Sequence, residues 1–256
     1  MGTLYIDCRM GAAGDMLSGA LLDLLPEEEQ DSFIDSLNDL GLPGVLVSAA
    51  PSEKCGVRGI HVTVTAGGEE ESPDFHSHST EGIHYSHSHH SMKDIEDIIN
   101  GCAGLPLNIK KEVLDVYKVI AEAESKAHGT TVTEVHFHEV GMMDAIADIT
   151  AVCMLMDRIA PDRVVASAVN TGSGHVHCAH GILPVPAPAT ANILEGIPHY
   201  SGGIESELCT PTGAALLKHF VSEFGEMPDM SVTAHGYGMG KKDFEEANCV
   251  RVYLGE

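Results

Sequence analysis

Residues 67–91, GGEEESPDFHSHSTEGIHYSHSHHS, constrain the fold more than any other stretch, because they hold almost no side chain that could build a core. They are expected to form a mobile, His-rich surface loop that divides the chain in practice. An N-terminal α/β segment, residues 1–66, lies before it, and an α+β segment, residues 92–256, lies after it and either completes the same domain or forms a second one.

Local patterns on both sides predict the elements. LYIDC reads as a short buried strand, RMGAAGDM as a tight glycine turn, and the apolar-periodic LSGALLDLLPEEEQDSFIDSLNDLGL as a helix. The β-branched runs GVLVSAAPSEKCG and VRGIHVTVTAGG predict two antiparallel strands. Beyond the loop, a serine cap opens the helix of SMKDIEDIINGC, and a starting proline and a closing glycine bound the helix of PLNIKKEVLDVYKVIAEAESKAHG. A further helix runs from about residue 140 to Pro161, and RVVASAV follows as a strand. PATANILEG and PTGAALLKHFVSEFG come next, with β-like MSVTAHGYGMG and CVRVYLGE at the end. Helices and strands mix without strict βαβ alternation, so an α+β fold is expected, with a mixed or antiparallel sheet packed by helices.

Composition narrows the chemistry. The 256 residues are enough for a substantial core, and no run of eighteen apolar residues or signal-peptide pattern interrupts them, so a soluble cytoplasmic protein is expected. Seven scattered cysteines without a C-x-x-C pair argue against a disulfide framework. A formal charge of −24, from 14 basic and 38 acidic residues, argues against nucleic acid and favours metal cations as partners. Sixteen histidines against no tryptophan point the same way.

Three histidine clusters could carry that chemistry. In the loop, His76, His78, His84, His87, His89 and His90 give H-x-H spacings on which neighbouring imidazoles can reach one nickel, copper or zinc ion; a solvated low-complexity loop is the bland alternative. In HFHEVGMMDAIAD, His136 and His138 alternate on an extended segment, Glu139 sits near a helix start, and Asp144 and Asp148 share a helical face. These groups could converge on a divalent ion or on Mg²⁺ carried by a phosphorylated substrate, or the acids could merely face the helix dipole. In GHVHCAHG, His175 and His177 share one strand face, and Cys178 and His180 join them only if the backbone bends at its glycines; thiolate plus imidazole suits nickel and zinc, while satisfied strand histidines are the alternative. Two glycine turns at helix starts, RMGAAGDM with Gly11 and Gly14, and CTPTGAALL with Thr210, Thr212 and Gly213, could cradle phosphate; ordinary capping explains either as well.

YIDCRMGAAGDMLSGALLDL, the His-rich loop, VHFHEVGMMDAIADI, SGHVHCAHGILPVPAPAT, ELCTPTGAALLK, GYGMGKKDF and CVRVYLGE, in that order, resemble the LarC family of nickel-insertion proteins almost end to end. The resemblance implies insertion of Ni²⁺ into a pyridinium-3,5-bisthiocarboxylate mononucleotide, giving the nickel-pincer cofactor of lactate racemase-type enzymes, with CTP hydrolysis and Mn²⁺ or Mg²⁺. On that footing the loop collects nickel, and Asp7, Gly11, Gly14 and Asp15 belong to the substrate site beside the HFHE and HVHCAH clusters. His138 and Glu139 become candidate bases for removal of the ring C4 proton. Two departures stand out: relatives often carry a serine in the glycine turn, and the family's CTP function is associated with a C-terminal region beyond VYLGE. A C-terminal partner chain or domain is therefore expected, along with a homo-oligomer. A non-catalytic nickel storage and delivery chaperone, and a metal-dependent hydrolase built on HFHE and Asp144, are the competing readings.

Overall fold

In the computed structural model, residues 2–70, 90–137, 139–178 and 181–256 are described. The N-terminal part gives β1 (Thr3–Asp7), α1 (Gly14–Leu22), α2 (Glu27–Asn38), β2 (Val45–Lys54), β3 (Val57–Ala66) and β4 (Glu69–Glu70). After residues 71–89 come β5 (His90–Ser91), α3 (Met92–Gly101), α4 (Leu107–His128), β6 (His136–Phe137), α5 (Met143–Ile159), β7 (Arg163–Ala166) and β8 (Val169–Asn170). The chain continues through β9 (His175–Cys178), β10 (Gly181–Pro184), α6 (Pro188–Ile193), β11 (His199–Tyr200), α7 (Pro211–Phe220), β12 (Glu223–Phe224), β13 (Val232–Met239) and β14 (Cys249–Gly255).

One mixed sheet takes strands from both sides of residues 71–89, in the order β12-β7-β1-β14-β13-β3-β2, with β4 added to β3. β12, β7 and β1 are parallel; β14 is antiparallel to both β1 and β13; β13 meets β3 in parallel; β2 and β3 form an antiparallel hairpin. This is the α+β architecture the patterns predict. Alternation along β1 and β14 sends Leu4, Ile6, Val250 and Val252 into the core beneath α1. Tyr5, Asp7, Arg251 and Tyr253 consequently project from the opposite face. α1 lies very close to β13, where Gly238 faces it: a methyl group there would stand 1.7 Å from the Met16 carbonyl oxygen.

The apolar stretch after the first glycine turn is two helices, not the single helix its periodicity predicts. α1 stops at Leu22 and Pro26 caps α2, since proline lacks the N–H that would continue the ladder of α1. Elsewhere the signals hold: Pro106 precedes α4, and Gly129 closes it in the left-handed conformation at φ +63°.

Ser91 begins α3 with a capping box. Its hydroxyl accepts from the Asp94 amide at 3.3 Å, and the Asp94 carboxylate accepts from the Ser91 amide at 2.7 Å. Ser91→Ala removes half of that box and is expected to cost about 1 kcal/mol, a fall in Tm of roughly 2–4 °C for a chain of this size. Thermal unfolding followed by circular dichroism checks it; an unchanged Tm would mean that packing alone holds the start of α3.

Candidate functional site

The strand directions set where ligands can approach. β1, β7, β12 and β13 all run the same way, so their C-terminal ends, the start of β14 and the N-terminus of α1 gather at one edge of the sheet. Segments 8–13, 167–174 and 240–248 meet there, as expected of a sheet whose ligands bind beyond the carboxyl ends of its parallel strands.

On the helical side of this edge sits a group of carboxylates. Asp15 lies in the first turn of α1, and Asp144 and Asp148 lie one turn apart on α5. Asp148 reaches α1 because Gly14 has no side chain: a methyl group there would stand 2.7 Å from Asp148 Oδ2. The Asp15 amide donates to the Asp148 carboxylate. Asp148 Oδ1 is nevertheless buried with no hydrogen-bond partner among the described residues.

This environment disfavours charge. Burial, then the negative charges of Asp15 and Asp144, hold the Asp148 carboxyl well above the ordinary carboxylate range, against the pull of Lys241. Burial also raises Asp15, opposed by Lys241, by its hydrogen bond from the Met16 amide and by His61. Each carboxyl's charge therefore opposes ionisation of the other. His61 places Nδ1 2.8 Å from the Met239 carbonyl, which can only accept, so Nδ1 carries the proton and Nε2 is left as an acceptor or ligand.

The HFHE segment leads into the same helix. Phe137 is fully buried against Tyr117 with ring centroids 5.9 Å apart, and the Tyr117 hydroxyl donates to the Val140 carbonyl at 3.2 Å. That anchor fixes the strand immediately ahead of Asp144. His136 pairs with Ser91 and Phe137 with His90 across β5 and β6. His90, grouped by sequence with the loop histidines, is therefore part of the HFHE unit, and its Nδ1 donates to the Gly141 carbonyl at 2.7 Å. His76, His78, His84, His87, His89, His138 and His180 lie outside the described residues, as does the bulk of the predicted mobile loop. Glu139 begins the short 3₁₀ turn that precedes α5.

His175 and His177 share the exposed face of the β9–β10 hairpin, as their spacing predicts, with Cys178 on the other face, its thiol 3.4 Å from the Gly181 carbonyl. Among the described residues, no group of three or more His, Cys, Asp or Glu is arranged to hold a metal ion.

The glycine turns have structural work. The Gly11 amide donates to the Cys8 carbonyl at 2.9 Å, the Ala12 amide to the Leu208 carbonyl at 3.0 Å, and the Thr210 amide to the Ala12 carbonyl at 3.0 Å. Thr210 caps α7 by accepting from the Gly213 amide at 3.1 Å, and Thr212 is buried. A methyl group on Gly213 would stand 2.1 Å from the Ala12 carbonyl oxygen. The two turns dock on each other, and these amides bond within the protein.

Asp7 is buried, and both of its oxygens bond to Arg9, with Arg251 joining at Oδ2. Burial alone would raise its pKa, but the hydrogen bonds from Arg9 and the charge of Arg251 outweigh it and hold Asp7 below the ordinary value. Sequence reasoning missed Arg9, Arg251, His61 and Lys241. A signal existed: only 14 residues of the chain are basic, and Arg9, Lys241 and Arg251 fall inside CRMGAAGDM, GYGMGKKDF and CVRVYLGE.

The profile of the nickel insertion protein family matches residues 4–256. The chain belongs to that family. Among relatives of this nickel insertion family member is a pyridinium-3,5-bisthiocarboxylic acid mononucleotide nickel insertion protein of Clostridium kluyveri, 42% identical over 262 residues, covering 100% of this chain and 62% of the relative. Proteins of the same name from Clostridium acetobutylicum, 40% identical over 278 residues, and Staphylococcus saprophyticus, 39% identical over 248 residues, cover 100% and 97% of this chain and 64% and 58% of their own lengths. The chain thus spans about three fifths of the length of the curated relatives it matches. No solved structure matches it. No helix among the described residues is long and apolar enough to cross a membrane.

Proposed function

We propose that this chain takes part in inserting nickel into a pyridinium-3,5-bisthiocarboxylate mononucleotide, the reaction named for its relatives, and that the edge bearing Asp15, Asp144, Asp148, His61 and Lys241 is where the substrate's ring is handled. The observation that carries this reading is the Asp15–Asp148 pair, set beside a third carboxylate and a lysine, whose loss of solvent raises its affinity for a proton. Forming a nickel–carbon bond replaces a ring C–H with C–Ni, so one proton must leave. The member of the pair that is ionised, its proton affinity raised by burial and by its neighbour, is suited to take it. The same proton can be returned to water through the solvent side of Asp15, which is only partly buried.

Nickel is a substrate here. Its path is proposed to run through imidazoles and carboxylates that exchange readily with softer thiocarboxylate sulfurs. The loop histidines, His90, His136, His138, His175, His177, Cys178 and His180 are the proposed carriers, with Glu139, Asp144 and Asp148 at the receiving end. His90 and His61 each donate Nδ1–H to a backbone carbonyl, an arrangement that in metal sites orients Nε2. The amides of Gly11, Ala12, Thr210 and Gly213 bond within the protein and offer no donors to a nucleoside triphosphate, and no step of the proposed insertion runs through CTP or its Mn²⁺ or Mg²⁺.

The test is product formation. The chain is mixed with the mononucleotide and Ni²⁺, with and without CTP and Mn²⁺, and with and without the remaining portion of a relative added in trans; the nickel adduct is followed by mass spectrometry. Product is expected once the remaining portion is present, and Asp148→Asn should abolish it. If the chain binds several nickel ions and no mixture yields product, storage and delivery of nickel replaces insertion as the reading.

A further inference from the structure

Arg9 and Arg251 come from opposite ends of the chain, and a single carboxylate fixes both. Asp7 receives Arg9 Nε at 2.9 and 3.1 Å, the Arg9 amide at 3.1 Å, Arg9 Nη2, and Arg251 Nη2. The Asp7 side chain is 1% exposed, whereas those of Arg9 and Arg251 are 63% and 35% exposed, so the anion is sealed beneath two guanidinium groups that reach outward. A guanidinium has five N–H donors. Arg9 gives two of them to Asp7, through Nε and Nη2, and Arg251 gives one, leaving three and four that donate to no other described residue.

These groups line a cavity of about 340 Å³ together with Val57, Tyr237, Glu246 and Cys249. A clamp that merely joined β1 to β14 would need neither a cavity nor two forks bound along only part of their donor set. Fixed, partly satisfied guanidinium forks match the tetrahedral oxygens of a phosphate group, which can take two parallel hydrogen bonds from each. The volume is at the lower end of the range for small-molecule sites, ~300–1,000 Å³, and exceeds the need of a bare phosphate ion. The exposed Glu246 carboxylate would repel a phosphate placed beside it, but can accept hydrogen bonds from sugar hydroxyls.

We propose that the Arg9–Asp7–Arg251 clamp is a binding site for a phosphate monoester on a sugar, with both guanidinium groups on the phosphate and Glu246 on the sugar. Identifying that monoester as the mononucleotide of the preceding section rests on the reading given there; the phosphate site itself does not. The site lies at the carboxyl edge that also carries Asp15, on the face of β1 turned away from α1.

The test uses the full chain without nickel. Binding of inorganic phosphate, nicotinamide mononucleotide and nicotinamide riboside is measured by calorimetry, alongside thermal unfolding of each variant. The mononucleotide is expected to bind, and the riboside, lacking the phosphate, at least tenfold more weakly. Arg9→Gln and Arg251→Lys should each reduce affinity for the mononucleotide about tenfold or more, Arg251→Lys keeping the charge and strand pairing while losing the fork. Equal affinity for the mononucleotide and riboside, or unchanged affinity in both variants at unchanged Tm, would overturn the proposal. Phosphate binding with no nickel insertion in the earlier assay would leave the clamp standing and sink only the insertion reading.

Discussion

Gly11→Ala is expected to leave little folded protein. Gly11 sits at φ +81°, where an alanine is strained by about 1–2 kcal/mol, and its added methyl would lie 2.0 Å from the Leu208 carbonyl oxygen and 2.7 Å from Leu208 Cβ. Leu208 cannot yield cheaply, since its carbonyl accepts from the Ala12 amide and its amide donates to the Thr171 carbonyl. Separating these segments would break that bond and unseat the start of α7, for several kcal/mol against a total stability of about 5–15 kcal/mol. Gly41→Ala supplies the comparison: its φ of +69° is strained in the same way, but no atom lies within 4 Å of the new methyl. It should cost only about 1 kcal/mol. Chemical denaturation of the two variants therefore separates backbone strain from collision; if they lose the same stability, segments 8–13 and 208–213 are not locked as described.

Much of the architecture is legible in the sequence because it depends on neighbours in the chain. The β2–β3 hairpin follows from two β-branched runs, α4 from its proline start and glycine stop, and α3 from Ser91 and Asp94. The single helix expected from residues 17–42 divides because apolar periodicity continues across Pro26 while the backbone, lacking that amide, cannot. In the candidate site, the i,i+4 spacing of Asp144 and Asp148 discloses their shared face. Their approach to Asp15 is not legible, since it needs α1 and α5 to pack with only Gly14 between them. His90 is misplaced for a related reason: composition puts it in the loop, while strand pairing with Phe137 draws it to the HFHE segment. The Arg9–Asp7–Arg251 clamp joins the first strand to the last, and no local pattern reports such a contact.

Asp148→Asn is expected to make the protein more stable and less active. The native Asp148 carboxyl is largely withdrawn from solvent, lies beside Asp15 and Asp144, and has Oδ1 enclosed without a partner among the described residues, all of which oppose the ionised form. The pair therefore binds a proton in the folded state at pH values where the unfolded chain has released it. For a carboxyl whose pKa is raised on folding, the associated stability is fully present below the unfolded value of about 3.9 and is lost as pH rises through the folded value, by up to ~1.4 kcal/mol per pH unit for one proton. An asparagine cannot ionise and can still accept from the Asp15 amide. It should recover about 1–3 kcal/mol once pH is above the range in which the native pair is protonated, a rise in Tm of roughly 3–8 °C, and flatten the fall of Tm as pH rises above the ordinary carboxylate range. Asp7 does not interfere in that window: its lowered pKa means that its contribution is lost only as pH falls below the ordinary carboxylate range. A variant with higher Tm, a flat pH profile and no nickel adduct would mark Asp148 as a group held in an unfavourable state for the sake of its proton. A variant whose Tm drops, with the pH slope intact, would show instead that Asp148 is an ionised structural partner, and the proton acceptor would have to be sought elsewhere, beginning with Glu139.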